Sequence, residues 1–461
     1  MTLRTRPLIS AFALLLAACA HSQAAPLPGE APAAGAGPLN VIVILADDLG
    51  WGDVGANGAR LISTPHIDRI GREGMRLTSF YSAANVCTPS RAALLTGRYA
   101  MRSGMQHVIH PQSQDGLPGT EITLAEMLKA GGYATHMTGK WHLGHTDAHW
   151  PTHHGFDSFF GVAYSNDMRP FDLYKDKSVI QSPADQSRLS ALYSQDAAVF
   201  IRSNTDQPFF LYYAETAPHL PFFVPQEPAG TSQAGLYGDV VEELDRGVGR
   251  ILDALDETGL AGRTLVIFTS DNGPWFEGSS GPFRGEKGGT HEGGWRVPML
   301  VRLPGVIPAG STSDHMAMSI DLLPTIAALT GTSPPRDRVI DGTDIGPVLR
   351  GGAPAATRNL FFFNGNDIVG VRNGRFKMLV FDYYRTMYVG FEQFASLFLF
   401  DYEADPETRF SYAREHPGIV ADLRAAIAAM REELAPMASE PLNPFAPLAE
   451  GRVVGPVLSP D

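Results

Sequence analysis

The stretch Asn40-Val41-Ile42-Val43-Ile44-Leu45-Ala46-Asp47-Asp48 decides the architecture. A mostly apolar run without polar alternation, ending in two acids, reads as a strand covered on both faces, as in a parallel sheet. A second such run, Thr264 to Ser270, ends in Asp271-Asn272-Gly273. Phe209 to Ala214, Tyr133 to Thr138, Pro298 to Leu303 and Met75 to Tyr81 read as further strands. Between them lie helical segments. One is opened by Ser63-Thr64-Pro65, with a capping residue before proline at the first helical position. Pro89 to Leu95 is closed by Gly97, Thr123 to Ala130 by Gly131-Gly132, and Tyr237 to Thr258 by Gly259. Gln195 to Ser203 and Leu322 to Leu329 complete the set. Strands alternating with helices predict an α/β fold, a large, mostly parallel sheet flanked by helices. From about residue 358 the pattern changes. Val369 to Val380 and Leu397 to Tyr402 read as hairpin-like strands, followed by a helix near Ile419 to Glu433. The expected domains are therefore residues 39–357, carrying the chemistry, and a smaller C-terminal α+β subdomain, 358–461, with a small antiparallel sheet and a helix.

The chain has 461 residues, 44% of them hydrophobic, enough for one large domain and a smaller one. A net charge of −13 argues against a broad nucleic-acid surface, though a few buried cations can still make one site locally positive. At the N-terminus, Arg4 and Arg6 precede a short apolar run, Ile9 to Leu16, which reads as an export signal over residues 1–18 and is too short to span a bilayer. Leu16-Ala17-Ala18-Cys19 resembles a bacterial lipobox, so cleavage would leave a lipidated Cys19; an ordinary signal peptide cut at a nearby alanine is the alternative. Residues 19–38, rich in Ala, Pro and Gly, read as a tether. The expected location is the periplasm or the outer membrane of a bacterium, with lipid as the only membrane attachment. Cys19 and Cys87 are the only cysteines. If Cys19 carries lipid, Cys87 has no disulfide partner, and a lone cysteine in an exported protein needs an explanation.

Ligand sites in open α/β sheets lie beyond the carboxyl ends of the strands. Either acidic pair alone reads as a turn or a solvated loop end. Both pairs at the ends of apolar strands point to a hard divalent cation, Ca²⁺ or Mg²⁺, held by Asp47, Asp48, Asp271 and Asn272. Cys87 is expected just before a helix, where the positive helix end favours a developing anion. Arg91 follows one turn later, within reach of position 87.

The run Cys87-Thr88-Pro89-Ser90-Arg91-Ala92-Ala93-Leu94-Leu95-Thr96-Gly97-Arg98 resembles the sulfatase family signature Cys-x-Pro-Ser-Arg-Ala-x-Leu-Leu-Thr-Gly-Arg. Gly139-Lys140-Trp141-His142-Leu143-Gly144 is similar to a second family block, and the spacing of Lys140 and His142 puts both on one face of an extended backbone. Ala217-Pro218-His219-Leu220-Pro221, the glycine-rich segment around Lys287, and Tyr164-Ser165-Asn166-Asp167 resemble shorter family loops; taken alone, His219 and Lys287 read as loop residues. The resemblance extends over roughly residues 40–410 and implies an alkaline-phosphatase-like fold and an arylsulfatase-like hydrolase. It further implies that a separate maturation enzyme converts Cys87 to formylglycine, whose hydrate attacks sulfur and forms a sulfated covalent intermediate. Ca²⁺ is the metal it favours, with residue 87 as a further ligand. Arg91 and Lys140 are implied to hold the nucleophile, His142 to act as base in the elimination, and His219 and Lys287 to flank the bridging oxygen. Lys140, His219, Lys287 and Ser165 are implied to bind the substrate, a sulfate ester of an aryl, glycan or steroid alcohol. A phosphate or phosphonate ester hydrolase of the same superfamily is the alternative, and a non-catalytic, surface-tethered binding protein a third reading. Phe381 to Ser396 matches no pattern; its aromatics suit a subdomain core or a substrate entrance.

Overall fold

The computed structural model describes residues 37–437, apart from 227–229, 354–355, 385–386 and 391–397; the side chains of 383–390 are also outside the description. The expected signal peptide, Cys19 and nearly all of the tether lie outside the described residues, as does the tail beyond Met437.

The strand Asn40–Ala46 is buried at every position. It pairs in parallel with Thr264–Ser270 on one side and Phe209–Ala214 on the other, and both neighbours are also fully buried. Its side chains alternate between two cores. Val41, Val43 and Leu45 pack with Leu94, Leu128 and Leu323 from the helices Cys87–Thr96, Leu124–Ala130 and Leu322–Thr330. Ile42, Ile44 and Ala46 pack with Ile70, Ile201 and Leu244 from Pro65–Arg72, Leu189–Ser203 and Gly235–Glu257. Helices on both faces explain why the strand carries no polar alternation.

The full sheet has ten strands, in the order Ser311–Ser313, Met75–Leu77, Met299–Arg302, Thr264–Ser270, Asn40–Ala46, Phe209–Ala214, Ala134–Lys140, Ser158–Val162, Leu173–Lys175, Ser178–Gln181. Its centre is parallel; Met299–Arg302 and the last two strands run antiparallel to their inner neighbours. A smaller antiparallel sheet takes Asn359–Asn364, Asp367–Asn373, Phe376–Leu379 and Phe398–Asp401, with the helix Pro417–Leu434 against it through Leu423, Ile427 and Leu434. The mostly parallel α/β architecture with a small antiparallel C-terminal sheet is as expected.

Several boundaries differ from the expectation. Met75 to Tyr81 is two strands, because the Arg296 guanidinium donates to the Thr78 carbonyl and the Ser79 hydroxyl at the break; Phe80–Tyr81 then pairs with Ala317–Met318. The helix expected from Gln195 begins at Leu189, fed by a 3₁₀ turn that the Asp185 carboxylate caps. Val369 to Val380 is itself a hairpin, reversing at Gly374 with φ +52°. The helix Cys87–Thr96 includes Cys87 as its first residue, where the sequence placed it just before the helix. Phe381–Tyr384 and Met387–Gly390 form a hairpin of their own.

One glycine is dictated by close packing. Gly139 has φ +111°, and a Cβ there would meet the Ala214 carbonyl oxygen at 1.8 Å. No side chain can be accommodated without parting the Ala134–Lys140 and Phe209–Ala214 strands. Gly139→Ala is expected to cost about 2–4 kcal/mol, read as a lower midpoint in thermal unfolding, and to displace Lys140.

Candidate active site

The pairing of Asn40–Ala46 with Thr264–Ser270 sets Ala46 opposite Ser270. Asp47-Asp48 and Asp271-Asn272 therefore leave the sheet side by side. The Asp271 amide donates to the Ala46 carbonyl at 3.1 Å, and the Asp48 amide donates to Asp271 Oδ1 at 3.2 Å. Asp48 adopts φ +67°, a left-handed turn that an aspartate tolerates better than most residues.

Cys87 comes to this edge as the first residue of the helix Cys87–Thr96, all of whose residues are buried. Its Sγ lies 3.5 Å from Asp47 Oδ1 and 3.5 Å from Lys287 Nζ. Asp47, Asp48, Cys87 and Asp271 offer one atom each within 4.8 Å of one another. The Arg91 side chain is not a hydrogen-bond partner of the Cys87 thiol among the described residues. It clamps the acids: Nε and Nη2 each lie 2.9 Å from Asp271 Oδ2, Nη2 lies 3.5 Å from Asp47 Oδ1, and Nη1 donates to the Lys140 carbonyl at 2.7 Å. Lys140 Nζ donates to Asp47 Oδ2 at 2.5 Å and to Ser165 Oγ at 3.0 Å. Lys287 Nζ donates to Asp48 Oδ2 at 2.7 Å. His219 Nε2 stands 3.3 Å from Ser165 Oγ and 3.6 Å from Asp48 Oδ2.

The extended geometry expected for Lys140 and His142 stops at Lys140. The strand ends there, and His142 turns left-handed, with φ +60°. Its Nε2 is paired with the Ile109 carbonyl at 3.0 Å, so that nitrogen is the donor; its buried Nδ1 has no partner. Burial first, then Lys140 and Arg91, hold His142 well below the ordinary histidine value, so the ring is neutral.

Three observations test whether the cluster fits a divalent cation. The Asn272 amide nitrogen donates to Asp48 Oδ1 at 2.7 Å, yet its oxygen is buried without a partner. A buried orphan acceptor beside three carboxylates is what a metal ligand looks like without its ion. The Asp271 carboxyl is pushed up to about 7 by burial and by Asp47, which outweigh Arg91 and Lys140. Burial would raise Asp47 too, but Lys140 and Arg91 hold it well below the usual carboxylate range. The donor set is all oxygen apart from residue 87 itself, which suits a hard cation. Asp47, Asp48, Asp271 and Asn272 could hold it.

The Cys87 thiol is pushed up to about 12, first by burial and further by Asp47 and Asp271, against the pull of Lys140 and Lys287. An unmodified Cys87 is therefore a protonated thiol at neutral pH and a poor nucleophile.

All the sequence-derived candidates that lie among the described residues meet in this one cluster. Reading by motif missed two residues that orient it. Asn166 brackets His219: its Oδ1 lies 3.0 Å from His219 Nδ1, and its amide nitrogen donates to the His219 carbonyl at 3.2 Å. Thr88 donates to the His142 carbonyl at 3.1 Å and accepts from the Ile109 amide at 3.3 Å. Each stands beside a candidate, but its role depends on a partner far away in the chain.

The family profile described as Sulfatase matches residues 39–332, and one described as N-sulphoglucosamine sulphohydrolase, C-terminal, matches residues 286–433. The mouse N-acetylgalactosamine-6-sulfatase is 40% identical over 372 residues, covering 74% of this chain and 71% of that protein. The mouse steryl-sulfatase is 38% identical over 453 residues, covering 78% and 72%. Among solved structures, Ps i-CgsB in complex with k-i-k-neocarrahexaose superposes with a TM-score of 0.76 at 28% identity, covering 86% of this chain and 93% of that one. The chain thus belongs to the sulfatase family, and it is a hydrolase of sulfuric esters.

Removing divalent cations with a chelator should lower the unfolding midpoint, and saturating Ca²⁺ should restore it; a hundredfold excess over Kd corresponds to about 2.7 kcal/mol. Asn272→Ala should shrink that difference. Asp271 must be ionised to bind a cation, so apparent affinity should fall as pH drops through about 7. Calorimetric titration at stepped pH reads both.

Proposed function

We propose that this chain hydrolyses a sulfate ester carried on a saccharide, with Cys87 converted to formylglycine by a separate maturation enzyme and Ca²⁺ as the metal. The observation that carries the reading is the placement of residue 87: first in a buried helix, 3.5 Å from both Asp47 and Lys287. As a thiol pushed up to about 12 it has no nucleophilic use there. As an aldehyde hydrate it would supply a hydroxyl nucleophile and a second hydroxyl for expelling sulfate, with the cation lowering the hydroxyl pKa and balancing developing charge.

The remaining residues have distinct work. Lys140, bonded to both Asp47 and Ser165, offsets negative charge on the entering sulfate group. Arg91 holds Asp47 and Asp271 at fixed separation and so positions the acids. The neutral His142 ring has a free Nδ1, which suits it to take a proton in the elimination step. His219, oriented by Asn166, and Lys287 both approach the Asp48 carboxylate, where they would stabilise the departing alkoxide. Saccharide as the alcohol is supported by the names of relatives: an N-acetylgalactosamine-6-sulfatase among the similar sequences and a carrahexaose complex among the similar structures.

Two measurements test this. Protein from cells that contain the maturation enzyme should show the residue-87 peptide lighter by about 18 Da, the change from thiol to aldehyde that an activated nucleophile requires; an unshifted mass removes the proposed nucleophile. Purified enzyme should release sulfate from sulfated saccharides. A many-fold preference for aryl phosphate or phosphonate esters overturns the sulfatase assignment, and release only from aryl or steroid sulfates overturns the saccharide.

We also infer export and anchoring through a lipidated Cys19, on the basic, apolar and small-residue pattern of residues 1–19. Cys19→Ala should move the protein from the membrane fraction to the soluble periplasmic fraction. An unchanged distribution points to an ordinary cleaved signal.

A further inference from the structure

A cavity of about 1060 Å³ lies where the edge of the large sheet meets the C-terminal sheet. None of the residues lining it belongs to the catalytic cluster. Its walls include Thr78 and Ser79, Ser311 to His315, and the turn Arg372 to Arg375. The strand register fixes its level in the fold. Met299 pairs with Thr269, at the end of Thr264–Ser270 that leads into Asp271, so Arg296 and the Leu77 end of Met75–Leu77 lie at the catalytic edge of the sheet. Trp51, which also lines the cavity, is three residues beyond Asp48.

The charge of this wall is unusual for a chain of net charge −13. Arg76, Arg296 and Arg372 all line it. Arg358 and Arg375 line it too, but they are satisfied by Asp321 and by Asp401 and Glu403. The other three meet less negative charge, although Arg296 also donates to the Thr78 carbonyl and the Ser79 hydroxyl and Arg372 to the Gly374 carbonyl at 2.9 Å. Arg76 donates to a backbone carbonyl, that of Ala56, at 2.7 Å. Arg296 and Arg372 share one carboxylate, that of Glu292, at 3.4 and 3.6 Å. Buried Lys377 takes the other Glu292 oxygen at 2.9 Å. Three buried cations thus lean on a single acid. Arg372 is 6% exposed, and its buried Nη1 has no hydrogen-bond partner among the described residues. Burial holds Arg296, Arg372 and Lys377 all below their ordinary values, as expected where positive charge is incompletely matched.

The surroundings add faces suited to a sugar. Arg296 lies 4.2 Å from the Phe283 ring centroid, and Trp51 meets Phe283 edge-on at 5.1 Å. Arg372 covers the Tyr402 ring at 4.3 Å. Thr78, Ser311, Thr312 and Ser313 bring hydroxyls to the strand edge; those of Thr78 and Ser311 donate to the Ser313 and Pro308 carbonyls and keep acceptor lone pairs. A partly open cleft of this size exceeds what one oxyanion needs and suits a short oligosaccharide.

We propose that this cavity is a second anion-binding site, separate from the catalytic cluster, which takes a sulfate group either as the free ion or carried on a saccharide. Excess buried guanidinium charge recognises the sulfate, and the aromatic and hydroxyl-bearing walls receive the sugar. The choice of sulfate rests on the sulfatase reading; the excess positive charge does not.

The test uses the full chain carrying Cys87→Ala, so that no probe is turned over, with Arg372→Gln and Arg76→Gln each added to it. Sodium sulfate and a sulfated oligosaccharide are titrated separately by calorimetry at constant ionic strength. With at least one probe, two classes of site are expected, and each arginine variant should weaken one class by about tenfold, the loss of one charge-assisted contact, while the other class holds. Two classes with sodium sulfate identify the free ion as a ligand; two classes with the oligosaccharide alone identify the saccharide-borne group. A single class with both probes overturns the proposal, as does Arg76→Gln binding both probes like its parent. Arg76 is half-buried and bonded only to a carbonyl, so its variant decides the matter should Arg372→Gln fail to fold. In chains that keep Cys87, the Arg76→Gln variant should turn over a small aryl sulfate at an unchanged rate. Absence of sulfate release from both the aryl sulfate and sulfated saccharides in the parent defeats the sulfatase reading and leaves the binding result standing.

Discussion

The catalytic cluster depends on the register between Asn40–Ala46 and Thr264–Ser270. Those segments are more than two hundred residues apart, yet Ala46 stands opposite Ser270. Strand side chains repeat every two residues, so a slip of one would send Ile42 and Ile44 into the core built for Val41 and Val43. The two different helical layers penalise that slip. The same register sets Asp47, Asp48, Asp271 and Asn272 side by side. Packing of the cores therefore specifies the geometry of the acids, and no interaction among the acids need do so.

Charge balance follows from that placement. Asp47, Asp48 and Asp271 are all essentially inaccessible to water. Arg91, Lys140 and Lys287 answer them at distances of 2.5–2.9 Å. Breaking a buried pair leaves an uncompensated charge and is costly, whereas the intact set adds little net stability. The compensation is also uneven. Asp47 is held far below its ordinary range, and Asp271 is pushed up to about 7. A metal cation, supplied from outside, would relieve the crowding at Asp271 and satisfy the orphaned Asn272 oxygen.

The segment from Lys287 to Arg296 links the two sheets. Lys287 reaches Asp48, while Glu292, five residues on, accepts from Tyr81 and from Lys377 of the C-terminal sheet. Its neighbour His291 meets Asp382 at 3.0 Å. The C-terminal sheet thereby fixes the backbone that carries Lys287. That coupling also concentrates the cations of the accessory cavity, since Arg296 and Arg372 converge on the same Glu292 carboxylate.

Much of this was legible in the chain alone. The fully apolar runs at Asn40 and Thr264 implied doubly covered strands, and their acidic ends implied a ligand site. The blocks at Cys87 and Lys140 named Cys87, Arg91, Lys140 and His142, because their chemistry is local and their residue types are rare in combination. Pattern alone misplaced features set by distant partners. Thr78 ends a strand because Arg296 takes its carbonyl, and His142 is left-handed, although its spacing from Lys140 suited an extended chain. That the Arg91 guanidinium clamps Asp47 and Asp271 also required the fold. So did the three cations around Glu292, which come from Arg296, Arg372 and Lys377 and form no motif. Sequence determined which side chains could do chemistry; tertiary structure decided what each one touches, because burial and pairing are properties of neighbours that the chain order does not record.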